Sequence, residues 1–487
     1  MFNSKNAFKL SVISSLILSS SAFALEKPKS MDDMWKIIEA QQKQIEALQN
    51  IKSPPEEIPV KTTTTSATNE VTVKMPAVSN EVKTLERKTD VLSQEVEKLR
   101  TNLAIPEEAK YKSMYGLGPA ASKVYQVGKG LSIGGYGEGS YQANVADKGN
   151  AQNNADLERM VLYIGYKFSD KILLNTEIEY EHASTGEGTE LKGEAEVEFA
   201  SLDFFIDPIA NVRTGLMLMP MGLVNRIHEP LFYFGNHRPE VEQRIIPSTW
   251  REMGAGLFGA ITPNLTYTAY VTNGLNGVKS TSAGGTAGFS SDGIVEGRGG
   301  GSFSAAENFG YIARMDYDPS FAPGLTVGGS GYVGKSGQNQ QYLGQKINAF
   351  TQLYETHVQW KYRGLEFRAL GSWGFIGDAA LLSAANGQTV GSQNYGYYTE
   401  LGYDILPLIL PNTTNYLAPF VRYEKLNTLA KIPTGLTSDF TKDWQIFQIG
   451  LQYKPIPTVV IKADYRNYVQ KQGTHPDDFN LGFGFIF

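Results

Sequence analysis

Phe479-Asn480-Leu481-Gly482-Phe483-Gly484-Phe485-Ile486-Phe487 is the stretch that decides the fold. Phe479, Leu481, Phe483, Phe485 and Phe487 carry large apolar side chains on one face, up to the last residue. Asn480, Gly482 and Gly484 take the other face. Strict alternation of this kind marks a β-strand whose two faces meet different surroundings. As the edge of a sheet in water, such an end would be an aggregation hazard.

The same period recurs upstream. In Met160-Val-Leu-Tyr-Ile-Gly-Tyr-Lys-Phe168, Met160, Leu162, Ile164, Tyr166 and Phe168 share one face. Arg159, Val161, Tyr163, Gly165 and Lys167 share the other. After a short turn at Ser169-Asp170, Ile172, Leu174, Thr176, Ile178 and Tyr180 oppose Asn175, Glu177, Glu179 and Glu181. One apolar and one charged face fits a half-buried sheet in water or a strand between lipid and an aqueous lumen. Length and connections decide between them. Many segments run for about 9–12 residues, enough to cross a bilayer when tilted, whereas soluble strands average about 5–6. Short turns such as Thr262-Pro263-Asn264 and Arg363-Gly364 alternate with long, polar, Gly-rich loops. Tyr and Trp gather near strand ends (Trp360, Tyr362, Trp373, Tyr403, Tyr453, Tyr465), where amphipathic rings prefer a membrane interface.

The pattern predicts sixteen strands, near 130–142, 157–168, 171–182, 194–206, 210–219, 249–261, 265–273, 308–318, 324–334, 350–362, 365–374, 392–405, 416–427, 442–454, 458–469 and 478–487. The expected fold is all-β: a sixteen-stranded antiparallel transmembrane β-barrel over 111–487. An even count puts both chain ends of the barrel on one side, the periplasm.

Composition agrees. The 487 residues include 50 Gly and 26 Tyr, with no Cys. That excludes disulfides, thiolate metal sites and cysteine nucleophiles. A net charge of −6 argues against nucleic acid as a partner. Average hydropathy is slightly polar, which excludes a bundle of membrane helices.

The amino-terminal part reads differently. Lys5 and Lys9, the apolar run Leu10–Leu18 and Ala22-Phe23-Ala24 form an export signal over 1–24. Two short heptad runs follow within 25–110. Met31, Ile38 and Ile45 alternate with Met34, Gln41 and Leu48. Val82, Thr89 and Val96 alternate with Val78, Leu85, Leu92 and Leu99. Pro54-Pro55 and a Thr/Pro/Ser-rich linker separate them. Little else apolar lies nearby, so an intermolecular, periplasmic coiled coil is expected.

A barrel of sixteen strands is wide enough for water, so whatever narrows it sets function. The candidate is the third long loop, from Pro220 to about Ser248. Its constriction candidates are Arg226, His228, Glu229, Tyr233, His237, Arg238, Glu240 and Arg244. Asn225, Asn236 and Glu242 lie among them, and the aromatic run Phe232-Tyr233-Phe234 would hold the charges across the lumen. The expected pore wall carries both signs. Arg159, Lys167, Arg213, Arg251, Arg314, Arg368, Arg422, Lys462 and Arg466 are basic. Glu138, Glu177, Glu179, Glu181, Glu194, Glu196 and Glu198 are acidic and confined to early strands. Opposed rows of this kind would set a transverse field.

No catalytic residue, metal site or cofactor is expected. His228 and His237 share the loop with Glu229 and Glu240, but no spacing pins them to an ion. No nucleophile elbow or phosphate loop is present.

Three features resemble the phosphate-selective porin O and P family of Gram-negative outer-membrane porins. They are Gly215-Leu-Met-Leu-Met-Pro220-Met-Gly222, Leu417-Ala-Pro-Phe-Val-Arg-Tyr-Glu424 with Asn427-Thr428, and the terminal Phe487. Phe487 also resembles the signal by which such barrels are recognised by their assembly machinery. The resemblance implies a homotrimer in outer-membrane lipid, with the third loop folded inward, passing small hydrophilic solutes or ions by diffusion. The arginine ladder and lysine cluster of phosphate-specific members are not matched, so phosphate selectivity is not carried over. A second reading makes the barrel an anchor and the heptads a tether or adhesin toward peptidoglycan or a periplasmic partner.

Overall fold

The computed structural model describes residues 112–186, 193–282, 285–411 and 413–487. The export signal and the heptads, 1–24 and 25–110, lie outside the described residues.

Sixteen antiparallel strands close into one barrel. In chain order they are β1 Gly130–Ala146, β2 Asn154–Ser169, β3 Ile172–Glu181, β4 Ala195–Phe204, β5 Asn211–Leu218, β6 Arg251–Thr262, β7 Leu265–Asn273 and β8 Phe309–Tyr317. There follow β9 Leu325–Lys335, β10 Phe350–Tyr362, β11 Leu365–Ile376, β12 Gln393–Tyr403, β13 Tyr416–Lys431, β14 Asp443–Ile456, β15 Val459–Gln470 and β16 Asp477–Ile486. Each strand pairs with its neighbours in sequence, and β16 pairs back onto β1, for instance Tyr136 with Ile486 and Tyr141 with Leu481. Closure leaves no edge.

The strand count and positions agree with the sequence pattern. The largest differences are at β1 and β13, which run on to Ala146 and Lys431. The added residues are Ala143-Asn-Val-Ala146 and Thr428-Leu-Ala-Lys431. The sequence pattern did not foresee the hairpin of Gln341–Tyr342 with Gln345–Lys346, nor the helix α3, Ala379–Asn386, in the loop after β11.

Alternation assigns the two faces. Leu481 and Phe483 are 49% and 48% exposed on the outside of the barrel, whereas Asn480 between strands β15 and β1 is fully buried. Along β12, Tyr397, Leu401 and Tyr403 are exposed and Tyr398, Glu400 and Gly402 are buried. Most connections are short at one end, here the turn end, and longer at the other, the loop end; the connection 404–415, with the helical turn Leu406–Ile409, is the long one at the turn end.

The interior holds an apolar cluster. Met217, Met219, Met221, Val241, Ile245, Ile246 and Trp250 come from the third loop and its stems. They form one buried cluster with the inward-facing Tyr332, Leu353, Tyr398 and Ile446. The physical reason is composition: this loop carries enough apolar surface to bury against the wall.

A closed, fully hydrogen-bonded barrel should resist sodium dodecyl sulfate until heated. We expect an unheated detergent sample to migrate differently from a boiled one on a gel. Identical migration of a folded sample would contradict closure.

Candidate functional site: the barrel lumen

The third loop, residues 219–250, begins as an extension of the sheet. Met219 N–H donates to the Trp250 carbonyl at 2.8 Å. Asn225 ties the two stems together: its Oδ1 accepts from Trp250 N–H at 2.6 Å and its Nδ2 donates to the Met219 carbonyl at 2.8 Å. Gly222 then turns the chain with φ of +73°, a conformation that suits glycine. A side chain there would also strike Glu242, on the short helix α2, Val241–Arg244. The Glu242 carboxylate accepts from Leu223 and Val224 N–H at 2.7 and 2.8 Å, and from Tyr398 Oη at 2.7 Å.

The tip of the loop meets the far wall. Phe234 stacks on Phe420 at 5.0 Å between centroids and 12° between planes. Gly402 makes room for it: any Cβ at 402 would overlap the Phe234 ring. Arg422 donates to the Phe234 and His237 carbonyls. Arg368 lies over the Phe232 ring at 4.6 Å. Asn236 donates from its backbone and its side chain to Asp464. Tyr233 Oη donates to Glu138, and Lys462 sits 4.0 Å above the Tyr233 ring.

The structure places the other loop candidates as follows. Arg226 pairs with Asp316 at 2.9 Å, and burial lowers its guanidinium to about 10, with Arg314 adding to the effect. His228 Nε2 lies 3.0 Å from Glu177 and 3.5 Å from Glu198. Burial lowers its imidazole below the usual value, against the pull of Glu198. His237 Nε2 lies 3.2 Å from Asn480 Oδ1. Arg238 donates to Ser248 Oγ at 2.7 Å. Glu240 pairs with Arg244 at 2.7 Å and with Arg466 at 3.7 Å, and Arg244 also lies over Trp444 at 4.2 Å.

A second segment, residues 112–129, lies against inward-facing wall residues and carries the helical turn α1, Lys123–Gln126. Glu229 Oε1 accepts from Ala120 and Ala121 N–H at 2.9 and 3.2 Å. Asn175 donates to the Ala121 carbonyl, and Tyr125 Oη donates to Asp203. Val124 occupies the space beside Gly165. Sequence reasoning assigned this segment no role. Its signal was the small-residue run Gly116-Leu-Gly-Pro-Ala-Ala-Ser122, which lets backbone approach a wall closely.

The wall arginines face inward but do not form a row opposed to the acids. Each is paired with a carboxylate on its own or a nearby strand. Arg159 reaches Glu138 at 2.9 Å and Glu179 at 3.1 Å. Arg213 holds Asp203 at 2.7 Å, and Arg251 pairs with Glu196 and, at 3.5 Å, with Glu198. Arg314 pairs with Asp316, Arg368 and Arg422 share Glu400, and Arg466 holds Asp478. This pairing sets each of these arginines beside an acid. The acids are also not confined to early strands: Glu355, Glu366, Glu400, Glu424, Asp464 and Asp478 are buried and inward on later ones. Sequence reasoning missed these acids, although their alternation with outward-facing residues along each strand was a usable signal.

At the loop end, a cavity of about 270 Å³ remains. Its lining includes Asp156, Glu158, Arg159, Glu181, His182 and His237.

No family model matches the chain. An uncharacterized protein of Aquifex aeolicus (strain VF5) is 35% identical over 400 residues, covering 80% of this chain and 87% of that one. The chain belongs to the family of that Aquifex protein. The chain is also similar, at low identity, to solved structures. OmpF of Salmonella typhi, in complex with daunomycin, is 12% identical with a TM-score of 0.48, covering 74% of this chain and 98% of that one. The outer membrane channel DcaP of Acinetobacter baumannii is 15% identical with a TM-score of 0.46, covering 73% and 97%. An anion-selective porin from Comamonas acidovorans is 10% identical with a TM-score of 0.45, covering 73% and 99%.

Burial raises the Glu229 carboxyl to about 8, against the opposing pull of the Ala121 and Ala120 N–H groups. A raised carboxyl favours the docked state most when both docked and undocked forms are protonated, below about pH 4.5. That contribution is lost as pH rises toward about 8. Amide exchange at Ala120 and Ala121, corrected for intrinsic rates, should show protection falling across this window. Glu229→Gln should flatten the profile. A flat wild-type profile would contradict the assignment.

Proposed function

We propose that the chain is an outer-membrane porin of a Gram-negative bacterium, passing small hydrophilic solutes or ions by diffusion. The observation that carries this is the division of faces in a closed barrel. Alternate residues are apolar and exposed on the outside, and charged and ion-paired on the inside. An apolar belt of this extent in water would drive aggregation, whereas in lipid it is the solvent-matched surface. Phe487 would serve the assembly machinery. The turn end would face the periplasm, with the heptads there supporting a homotrimer. The resemblance to the porin O and P family supports the same reading.

The filter is the third loop. The half-buried Arg226, His237, Glu240 and Arg244 are the groups a solute would pass, after a vestibule formed by the cavity at the loop end, while the buried His228, Glu229, Tyr233 and Arg238 would hold the loop in place. Because the lumen is packed with side chains, conductance should be well below that of an open sixteen-stranded barrel. The same packing favours a second reading, in which the barrel is an anchor and the heptads tether the membrane to peptidoglycan or a periplasmic partner.

Planar-bilayer recording separates the two. The porin reading expects discrete conductance that scales with salt and survives removal of residues 25–110. Electrically silent, folded protein would favour the tether. Changing Arg226, Arg238 and Arg244 together to Ala should shift the reversal potential in a salt gradient. An unchanged ion preference would remove the filter role from the loop. Leu481→Arg, on the outer face at mid-height of β16, should cost about 2–4 kcal/mol in refolding into vesicles. A negligible cost would argue against lipid contact.

A further inference from the structure

Three acceptor atoms converge between β3, β4 and the third loop. A bulge in the β3–β4 ladder creates the meeting point. Glu177 pairs in register with Phe199 and Ile178 with Val197, so Glu198 is the extra residue. Both Glu198 and Phe199 are buried, and the extra residue adds a carboxylate to the lumen beside Glu177. His228 comes down onto the pair from the loop. Ligand atoms of Glu177, Glu198 and His228 all lie within 4.8 Å of one another, and all three residues are buried.

The hydrogen bonds orient the imidazole. His228 Nδ1 lies 3.3 Å from the Asn225 carbonyl, an acceptor, so Nδ1 carries a proton. Asn225 is itself fixed by both loop stems. Nε2 therefore faces Glu177 at 3.0 Å and Glu198 Oε2 at 3.5 Å. A neutral ring would aim a lone pair at two carboxylates. A single proton on Nε2 serves Glu177, yet Glu198 Oε2 still has no hydrogen-bond partner among the described residues, although it is fully buried. Arg159 holds Glu138 and Glu179, and Arg251 holds Glu196 and the other oxygen of Glu198. Arg238 donates from Nη1 to Ser248, its Nε and Nη2 are buried without a hydrogen-bond partner, and it makes no ion pair with Glu177 or Glu198 among the described residues. Glu177 has no lysine or arginine within ion-pair distance among the described residues. A cation bound here would touch all three acceptors at once.

We propose that Glu177, Glu198 and His228 bind a borderline divalent cation of the zinc type, which fastens the third loop to the barrel wall. One imidazole and two carboxylates suit zinc better than calcium, which takes six to eight oxygens. Metal–donor distances of about 2.0–2.2 Å put the ligands of a tetrahedral zinc site roughly 3.3–3.6 Å apart, so small side-chain rotations close the site. The Asn225 carbonyl on Nδ1–H is the outer-sphere contact that metal-bound histidines commonly have. This site does not depend on whether the barrel conducts.

The test uses the full-length protein folded in detergent, stripped with chelator and reloaded with zinc alone. Elemental analysis should find about one zinc per chain. His228→Ala and Glu198→Gln, with heat-shifted gel mobility as the folding control, should weaken binding about tenfold or more. His182→Ala, at the half-exposed histidine of the vestibule, should bind as the wild type does. Equal zinc retention by wild type and His228→Ala would overturn the proposal. If the variants do not fold, cobalt decides on the wild type. One equivalent should give the intense visible bands of a low-coordinate nitrogen–oxygen site, removed by competing zinc. A spectrum of aqueous cobalt would overturn it.

Discussion

Pairing β16 with β1 is the constraint on which the rest of the structure depends. An open sheet of this length would present two rows of unpaired backbone groups, costly in lipid and adhesive in water. Closure satisfies both at once. It also turns period-two alternation into a partition of space, since every second residue must face a confined interior. Charged side chains there are costly without partners. The arginines of β2, β5, β6, β8, β11, β13 and β15 each have one. The interior thus works as an ion-paired lining into which loops can pack.

Packing against that lining uses neutral and charged anchors together. Phe234 gains a stacking partner in Phe420 and a recess over Gly402, while its carbonyl accepts from Arg422. Glu242 uses both carboxylate oxygens to fix the loop's first turn and to meet Tyr398. Removing one partner from such a buried network leaves another group unsatisfied, so these positions are stiff out of proportion to their number.

The fold was legible in the sequence because a single rule, alternation, holds on every strand and is insensitive to neighbours. It told which face Arg422 or Glu177 occupies. It could not tell whom they touch, because that depends on register between strands and on loop positions that carry no period. Hence Glu400 as the shared partner of Arg368 and Arg422 went unseen. The β4 bulge is a one-residue change of phase at Glu198 that no composition signals. Residues 112–129 lack either period, so their packing against the wall was illegible, even though Gly116, Gly118, Ala120 and Ala121 are small enough to permit it. The filling of the lumen was illegible for a related reason: barrel width follows from strand number, but filling follows from loop chemistry.

The third loop's far contacts have an energetic meaning. Tyr233 meets Glu138 on β1, Asn236 meets Asp464 on β15, and His237 meets Asn480 on β16. The latter two partners are 228 and 243 residues away in sequence. An unclosed sheet holds its first and last strands far apart and cannot offer these partners together. Docking and closure are therefore coupled in energy: the loop's contacts on both ends of the sheet exist together only in the closed barrel. The loop works as a clasp across the seam.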